Sequence, residues 1–459
     1  MAAESALPPG PRGYPIVGVL PNLRSNPIRT FLDAANQYGD IVHLKAGPYH
    51  GFLVADPADI KHVLQDNARN YHKSPLYDRL RDNLGNGLLT SEDALWLRQR
   101  RLAQPAFHRQ RIMAMADVMV DCTEQTLDRW DAIASRGDTI DLIEEMMMLT
   151  QAIIVRTMFS TDLGATRGIV NRTWPIINRR IGETLWATKL ETRLPLPANR
   201  RFWRALSELD EVVYRIIADR RQTGRDESDL LAMFLSARDE ETGGGMTDQQ
   251  LRNEVMTMLL AGHETTSLAL SWTYYLLSQH PEAGERIEDE VERVIGDSRP
   301  SFAHLDRLTY TRRVIEESLR LYPPAWGFSR RALADDELGG YRVRKGMLVF
   351  VIPFVVHRRP KLWPDPERFD PDRFTPELEA ARPKFAYIPF GGGPRGCIGN
   401  QFAMVEAMLI VATVARRYRI ELEPNQTIRP EPLITLRPKP GIRAALARRS
   451  VRSRVGSGQ

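Results

Sequence analysis

The sequence predicts a mainly helical protein with a small β portion, on three observations. Helical patterns dominate from residue 57 to residue 280, separated by glycine-marked loops. A run without proline or glycine, from Asn400 to Arg417, predicts a further long helix. Short strand-like runs and prolines fill much of the chain before residue 57 and after Leu319, so the β part is small.

The β elements follow from apolar runs bounded by turn residues. A hairpin is predicted from Ile41–Leu44 and Gly51–Ala55, joined across Gly47-Pro48. The proline-dense segment from Arg359 to Phe374 is expected to be irregular. Further strands are predicted over Tyr341–Val343, Met347–Val351 and Phe385–Phe390.

Length and composition bound the class of protein. A chain of 459 residues would by default be divided into two domains. The net charge of +5 is small for this length and does not by itself indicate nucleic acid. Two cysteines exclude a disulfide framework and suit a reducing compartment, with Cys122 expected as a small core residue in a helix.

The chain ends and the most apolar stretch bear on location. Residues 1–23 form a Pro-rich lead-in without the basic start and apolar core of a secretory signal, and residues 448–459 form a basic tail that we expect to be flexible. The apolar stretch from Met256 to Leu277 carries His263 and Glu264 at its middle, where a membrane span would resist charge. We therefore expect a cytoplasmic protein without a membrane span.

The clearest functional signal is a glycine-rich loop from Phe390 to Gly399 that contains Cys397. Five glycines around one cysteine fit a backbone that must approach something flat and bulky. At the start of the following helix, free N–H groups and the helix dipole favour a thiolate over a thiol. A shielded thiolate with N–H donors aimed at it is how proteins present sulfur to a haem iron.

Three other interpretations compete on the loop alone. Gly391-x-Gly393-x-x-Gly396 fits the dinucleotide fingerprint, although the remaining 60 or so Pro-rich residues leave no room for the sheet of a Rossmann half. A zinc site lacks a second nearby cysteine and a histidine at ligand spacing. A glycine-rich turn that holds a structural cysteine stays open at this point.

Two further motifs have low specificity in isolation. Trp96 and Arg100 stand four apart on one helix face, either as a surface aromatic over an Arg stem or as donors to the two propionates of a haem. Glu317 and Arg320 form an i, i+3 pair that is usually a surface salt bridge. Arg368, in the irregular Pro-Glu-Arg-Phe segment downstream, would let two guanidiniums share the carboxylate and pin that segment.

A polar notch interrupts the long apolar helix from Ala261 to Thr266. A glycine beside paired threonines lowers helix propensity, and a threonine hydroxyl competes for the carbonyl one turn back. Such a notch opens a groove for a small molecule and water, in which Glu264 and Thr265 would relay protons. A notch of purely packing origin is the alternative. A zincin motif is absent because Ser267 stands where the second histidine would be.

Taken in chain order, these motifs resemble the cytochrome P450 family over nearly the whole chain. The match consists of Trp96-xxx-Arg100, Ala261-Gly-x-Glu264-Thr265-Thr266, Glu317-x-x-Arg320, Pro366-Glu-Arg368-Phe369 and Phe390-xx-Gly393-x-Arg395-x-Cys397-x-Gly399. The resemblance implies a triangular helical prism, a single domain over residues 1–459 rather than two. It also implies a non-covalent haem b between the long central helix and the cysteine loop with its following helix.

The resemblance further implies roles for individual residues. Cys397 would be the thiolate ligand of the iron, and Glu264 with Thr265 the acid–alcohol pair that supplies protons during oxygen activation. The positions that match haem-contacting residues of the family are Lys73, Trp96, Arg100, Arg330, Phe390, Arg395 and Gly399. Glu317, Arg320 and Arg368 match a structural triad behind the proximal face.

The implied activity is that of a monooxygenase, which hydroxylates or epoxidises a lipophilic fatty acid, terpenoid, steroid or polyketide. The local sequence is similar to soluble bacterial fatty-acid hydroxylases and to long-chain ω-hydroxylases of membranes. Ala261 replaces the haem-linked Glu of the latter, and the first hairpin lacks the Arg with which the former hold a carboxylate. Positions that match pocket-lining segments are Leu89, Ala261, Thr265, Ala325, Trp326, Phe328 and Ile434.

Electron supply and two alternative functions complete the expectations. No fused reductase is expected after Gln459, so a separate ferredoxin or flavodoxin with an NAD(P)H-dependent reductase would dock on a basic face that includes Arg101, Arg109 and Arg111. A peroxide-driven peroxygenase is one alternative, although such relatives usually lose the acid–alcohol pair. A non-catalytic haem sensor or binding protein is the other, and it would not need that pair. No nucleic-acid partner is expected.

Overall fold

Helices make up most of the part of the chain that the computed structural model describes, namely residues 7–159, 167–184, 189–223, 229–238 and 243–449. In chain order the helices are α1 (Leu20–Ser25), α2 (Pro27–Tyr38), α3 (Pro57–Lys61), α4 (Leu76–Leu84), α5 (Asp93–Ala103), α6 (Arg109–Arg136), α7 (Leu142–Phe159), α8 (Arg167–Thr184), α9 (Lys189–Arg193), α10 (Pro197–Thr223), α11 (Leu230–Ser236), α12 (Asp248–Gln279), α13 (Pro281–Val294), α14 (Thr309–Leu321), α15 (Pro353–Val356), α16 (Pro376–Ala381) and α17 (Asn400–Ala415). The predicted mainly helical class is confirmed.

The strands are short. They are β1 (Ile41–Ala46), β2 (Tyr49–Val54), β3 (Tyr71–Lys73), β4 (Ile140–Asp141), β5 (Phe328–Ala332), β6 (Asp336–Leu338), β7 (Tyr341–Val343), β8 (Leu348–Val351), β9 (Tyr418–Leu422), β10 (Arg429–Pro432), β11 (Leu436–Lys439) and β12 (Arg443–Arg448). The largest sheet has the order β1-β2-β8-β5-β3, in which β2 and β8 run parallel and the other pairs antiparallel. Strands β10 and β11 form a separate hairpin, and β4-β12-β9 form a three-stranded sheet.

The central helix, α12, is where the notch of the sequence lies. Its start is fixed by a capping box, in which Thr247 accepts a hydrogen bond from the Gln250 N–H and the Gln250 side chain accepts one from the Thr247 N–H. It ends at His280, directly before the proline that opens α13. Its residues are buried over most of its length, packed closely against α7: a Cβ on Gly262 would lie 2.6 Å from Ile154 Cδ1. None of the described helices is both long and apolar enough to cross a membrane.

The predicted β elements are mostly found where the sequence places them. The first hairpin pairs Ile41 with Val54 through Ala46 with Tyr49, and Gly47 takes the left-handed conformation that its turn requires (φ +61°). The strand predicted over Phe385–Phe390 is wrong. The Ala386 N–H donates to the Pro383 carbonyl and the Ile388 N–H to His357 Nε2, so these groups serve a turn and a side chain rather than a neighbouring strand.

Two hydrophobic clusters hold the described elements together. The larger cluster surrounds α12 and includes side chains of α6, α7, α10, α14 and α17, with Cys122 buried in it as predicted. The smaller cluster lies between the five-stranded sheet and α2. The cysteine loop enters α17, which packs on α12, so the loop is carried by the larger cluster.

Candidate functional site

Backbone hydrogen bonds within the cysteine loop define its conformation. The Cys397 N–H donates to the Phe390 carbonyl at 2.9 Å, and the Gly396 N–H donates to the Gly393 carbonyl at 3.0 Å. Gly393 has φ +66°, and a Cβ there would lie 1.8 Å from the Leu64 carbonyl oxygen. Glycine is therefore required at position 393 both for its conformation and for its contact with the neighbouring chain.

The Cys397 side chain is exposed and lines a cavity of about 530 Å³ together with Arg100 and Phe390. Burial raises the pKa of the Cys397 thiol, while the Gly399 backbone N–H and the Arg100 guanidinium act in the opposite direction. The expectation that the helix start alone favours a thiolate is therefore too simple. A metal ion would displace the thiol proton, because sulfur binds metals as thiolate.

The notch in α12 opens onto an internal space. Ala261 is exposed although it lies in the middle of a buried helix, and Thr265 one turn later is half-buried. The Thr265 hydroxyl donates to the Ala261 carbonyl at 2.6 Å, which is the competition for the carbonyl that the sequence predicts.

The predicted pocket residues divide into two groups. Leu89 and Ala325 are exposed, and Phe328 and Ile434 are half-buried, as residues beside an internal space would be. Trp326 differs, because its side chain is buried in the smaller cluster, 6.5 Å from the Phe31 ring. Its indole N–H donates to the Leu433 carbonyl at 3.0 Å, so the structure makes it an anchor for a neighbouring segment.

An excess of positive charge collects beside the loop. Lys73 and Arg330 are cross-strand partners in β3 and β5, and Arg395 comes from the loop itself. Burial lowers the pKa of Lys73 to about 7, with Arg395 and Arg330 acting in the same direction and Glu92 opposing them. Glu92 pairs with Arg395. Asp93 also acts on Arg395, and Glu254 on Lys73. The three cations nevertheless offer donors for an anionic ligand.

Trp96 and Arg100 lie on the helix face that meets the loop. The Arg395 guanidinium lies 4.5 Å from the centroid of the Trp96 ring, a cation–π contact. Arg100 Nη1 donates to the Gly396 carbonyl at 2.9 Å. The spacing of four residues therefore brings both side chains to the loop, a contact that the sequence does not predict, and their role toward the propionates stays a prediction.

The residues present fit a haem. Among the described residues, no three or more His, Cys, Asp or Glu side chains are grouped so that they could hold a metal. Cys397 would then be the protein ligand of a bound metal, and a porphyrin would supply the other ligands. The cation cluster suits two propionates, and the exposed faces of Cys397 and Ala261 leave room beside the loop.

A buried ion pair stands behind the loop. Glu317 Oε2 accepts from Arg320 Nε at 2.6 Å and Glu317 Oε1 from Arg320 Nη2 at 2.8 Å, with neither side chain exposed. Burial raises the pKa of Glu317, and its hydrogen bond to Arg320 opposes this. Arg320 also donates to the carbonyls of His357, Pro366 and Arg368. The pair thereby organises the irregular segment that the sequence predicts.

The second arginine of this group is not the predicted one. The Arg368 side chain is 68% exposed and lies near Asp370, while only its backbone carbonyl contacts Arg320. Arg373 takes the place instead, with Nε 3.6 Å from Glu317 Oε1 and 12% exposure. The sequence contains a second Pro-x-Arg-Phe run at Pro371–Phe374, which could have identified it.

Glu264 lies in a cage of side chains. Its Oε1 accepts from the Thr435 hydroxyl at 2.8 Å and from Asn178 Nδ2, and Arg437 Nε lies 3.9 Å away. Burial raises the pKa of Glu264, and Arg437 is the largest opposing influence. Asn178, Thr435 and Arg437 are not predicted as site residues from the sequence, because no local pattern connects α8 or the β10–β11 hairpin with the middle of α12.

Fold and site together define a helical haem-binding protein with a cysteine thiolate ligand. The family model described as cytochrome P450 matches residues 8–444, and the chain belongs to this family. The family uses a haem with cysteine–thiolate ligation, and this protein is a monooxygenase. The predicted family, activity and cofactor are thereby confirmed.

Named relatives narrow the comparison. "Cyclooctatin synthase" of Streptomyces melanosporofaciens is 40% identical over 93% of this chain and 92% of its own. "Cyclooctat-9-en-7-ol 5-monooxygenase" of the same organism is 37% identical over 93% and 94%. "Pentalenene oxygenase" of Streptomyces avermitilis is 34% identical over 93% and 94%. The crystal structure of the "cytochrome P450DA heme domain" matches with a TM-score of 0.88 at 28% identity, over 97% of this chain and 98% of that one.

Proposed function

We propose that this monooxygenase oxidises a cyclic terpenoid hydrocarbon or alcohol. Each of the three relatives is similar to this chain over more than nine-tenths of its length. Their names denote a ring skeleton, a cyclic alkene and an unsaturated alcohol. Leu89, Ala261, Ala325, Phe328 and Ile434 would give the substrate an apolar surrounding. A fatty acid is a poorer match, because His50 on β2 contacts His43 and no arginine of that strand is present to hold a carboxylate.

We assign the haem to the space between Cys397 and Ala261, with Cys397 as iron ligand and Lys73, Arg330 and Arg395 toward the propionates. When bound, the haem supplies the chemistry that inserts one atom of dioxygen into a C–H or C=C bond. Arg100 holds the loop through the Gly396 carbonyl, so the position of the sulfur does not depend on the haem. Phe390 and Gly399 bracket the cysteine in the loop, and Glu317 with Arg320 supports the segment behind it.

Thr265 and Glu264 act as the proton-handling pair. Thr265 is a half-buried polar residue of the notch, whereas Glu264 is buried. The Thr265 hydroxyl, which donates to the Ala261 carbonyl, holds a water beside the bound substrate. Glu264 is the neighbouring ionisable group, and it resupplies that water with protons.

Electrons come from a separate acidic carrier protein, either a ferredoxin or a flavodoxin. Arg109 and Arg111 are exposed, and Arg109 lines a cavity of about 530 Å³ that reaches Cys397. Opposite charge would steer such a carrier to this face, so its reduction rate should fall steeply with added salt. A reduction rate that does not change with salt would contradict docking of the carrier protein on this face.

A binding screen with the holoenzyme tests the substrate class. Cyclic terpene hydrocarbons and alcohols should displace water from the haem and change its absorption spectrum at micromolar concentration, while saturated fatty acids of equal carbon number should not. Turnover with a surrogate reductase should then give a product heavier by one oxygen atom. A fatty acid that binds more tightly than every cyclic terpenoid and is hydroxylated would contradict the proposal.

A further inference from the structure

We propose that Arg437 is a positioning residue, which lies between the Glu264 carboxyl and a second cavity, holds that carboxyl in place and makes the cavity the proton inlet of the site. The inference rests on the proposed role of Glu264. It concerns residues of the β10–β11 hairpin, which the proposed mechanism does not otherwise use.

The hairpin presents two polar side chains to Glu264. Thr435 directly precedes β11 and Arg437 lies within it, and both side chains reach the same carboxylate. Thr435 donates to Glu264 Oε1 at 2.8 Å, and Arg437 Nε lies 3.9 Å from the same oxygen. Asn178 from α8 donates to this oxygen from another direction. One carboxylate oxygen is thus held by groups from separate elements.

Two tryptophans fix the hairpin in position. The Trp272 indole N–H donates to the Leu436 carbonyl at 2.9 Å, and the Trp326 indole N–H donates to the Leu433 carbonyl at 3.0 Å. The Leu436 N–H donates to the Pro324 carbonyl at 2.9 Å. Between these anchors Ile434 is half-buried and Thr435 is buried. The cage around Glu264 is therefore held in place before any substrate binds.

A cavity of about 450 Å³ lies on the other side of Arg437. Its wall combines Arg437 and His263 with apolar side chains such as Trp174 and Met147, and it is large enough for several waters. Glu144, Arg179 and Lys439, which also line it, are exposed, so the cavity reaches the protein surface. Neither Cys397 nor Ala261 lines it. It is therefore distinct from the space beside the cysteine loop.

Glu264 is the group that can carry a proton from this cavity. His263 lies at the wall, but burial lowers its pKa to about 4, so its ring stays neutral near neutral pH. Arg437 is the charged group that acts on the carboxyl from β11, while Thr435 before that strand and Asn178 and Trp174 of α8 contribute neutral side chains. The other titratable groups of the cavity wall are Asp141, Glu144, Arg179, Glu431 and Lys439. Because burial raises the pKa of Glu264 and Arg437 opposes this, Arg437 lets the carboxyl release a proton as well as accept one.

The test follows the protonated-carboxyl infrared band of the holoenzyme during a pH titration, assigned by its loss in Glu264→Gln. Arg437→Met should move the midpoint of this band upward by about 1 to 3 pH units, since it removes an opposite charge about 4 Å away. Arg437→Lys keeps the positive charge, so its midpoint should lie close to that of the unchanged protein. Arg429→Met, at an exposed position on β10 of the same hairpin, is the matched control and should leave the midpoint unchanged.

Coupling of product to reduced cofactor is the second readout. Arg437→Met should lower the ratio of product to reduced cofactor, and this ratio should fall further in deuterated water. Arg429→Met should change neither value. Thr435→Val removes one donor to the carboxyl and should shift the midpoint upward by less, which keeps the test open if Arg437→Met does not fold. An unchanged midpoint and coupling in Arg437→Met, beside an impaired Glu264→Gln, would overturn this inference alone. A fully coupled Glu264→Gln would overturn both the inference and the proposed role of Glu264.

Discussion

The loop side and the helix side of the haem space are built differently. On the loop side, backbone bonds and a buried ion pair fix nearly every group: the Cys397 N–H binds the Phe390 carbonyl, and Arg320 binds three carbonyls of the segment behind it. On the helix side, α12 keeps an exposed alanine and a threonine that competes for a helix carbonyl. The loop side is thus suited to hold a ligand rigidly, and the helix side to admit substrate, water and protons.

A single histidine links the ion pair to the loop. His357 Nδ1 donates to the Arg320 carbonyl at 3.2 Å, and its Nε2 accepts from the Ile388 N–H at 2.9 Å, two residues before the loop begins. Burial lowers the pKa of His357 well below its usual range, so the ring is neutral and can do both. No such chain of bonds reaches Ala261 or Thr265 among the described residues, and this difference is what the following variants test.

The largest effect is expected at Cys397. Cys397→Ala removes the proposed iron ligand, so the reduced protein with carbon monoxide should lose its thiolate-type red-shifted absorption completely. Cys122→Ala, in the buried part of α6, is the control and should keep it. If Cys397→Ala keeps that spectrum, the loop does not hold the iron.

The next largest effect separates the two candidate arginines behind the loop. Arg320→Ala leaves Glu317 buried without its main partner, which costs about 3–5 kcal/mol, so little holoenzyme should form. Arg373→Ala should reduce haem content partially, whereas Arg368→Ala should leave it nearly unchanged because its side chain is 68% exposed. Haem content per protein decides this, and the reverse ranking of Arg368 and Arg373 would reinstate Arg368.

On the helix side, changes should affect the use of electrons rather than haem content. Thr265→Ala should leave substrate binding within about twofold but lower product per reduced cofactor by about tenfold or more, with the difference recovered as peroxide. Thr257→Ala is a matched control, since Thr257 makes the same bond to a carbonyl one turn back, earlier in α12. Tight coupling in Thr265→Ala would make the notch a matter of packing alone.

The smallest effect is a pH dependence at Lys73. Its folded pKa of about 7, to which Glu92 already contributes an opposing influence, lies below the ordinary lysine value of 10.5. A bound propionate raises it again, so haem binding should take up a proton above pH 7, and affinity should fall by up to about tenfold per pH unit toward pH 10. Haem titrations at pH 6 and pH 9 measure this. Lys73→Met should flatten the dependence, and Lys384→Met, exposed before the cysteine loop, should not.

The loop side also shows the limits of local patterns. Glu317 and Arg320 are one helical turn apart, so a short motif identifies them. Arg373 joins them from an irregular segment that contains two Pro-x-Arg-Phe runs. The pattern alone does not tell whether Arg368 or Arg373 contacts Glu317. The resemblance predicts Trp326 at the pocket because its position matches a pocket-lining segment of the family, but its indole N–H donates to a carbonyl in the β10–β11 hairpin.

By itself the sequence determined the helical class, the first hairpin, the cysteine loop and the notch in α12, because helix period, turn residues and glycine content act over a few neighbouring positions. The tertiary structure alone decided what surrounds Glu264, through hydrogen bonds to residues 86 and 171 positions away. It also decided that Phe385–Phe390 is no strand, since His357 and a turn take its backbone groups. Such contacts depend on which distant segments pack together, and no local pattern of residues encodes that choice.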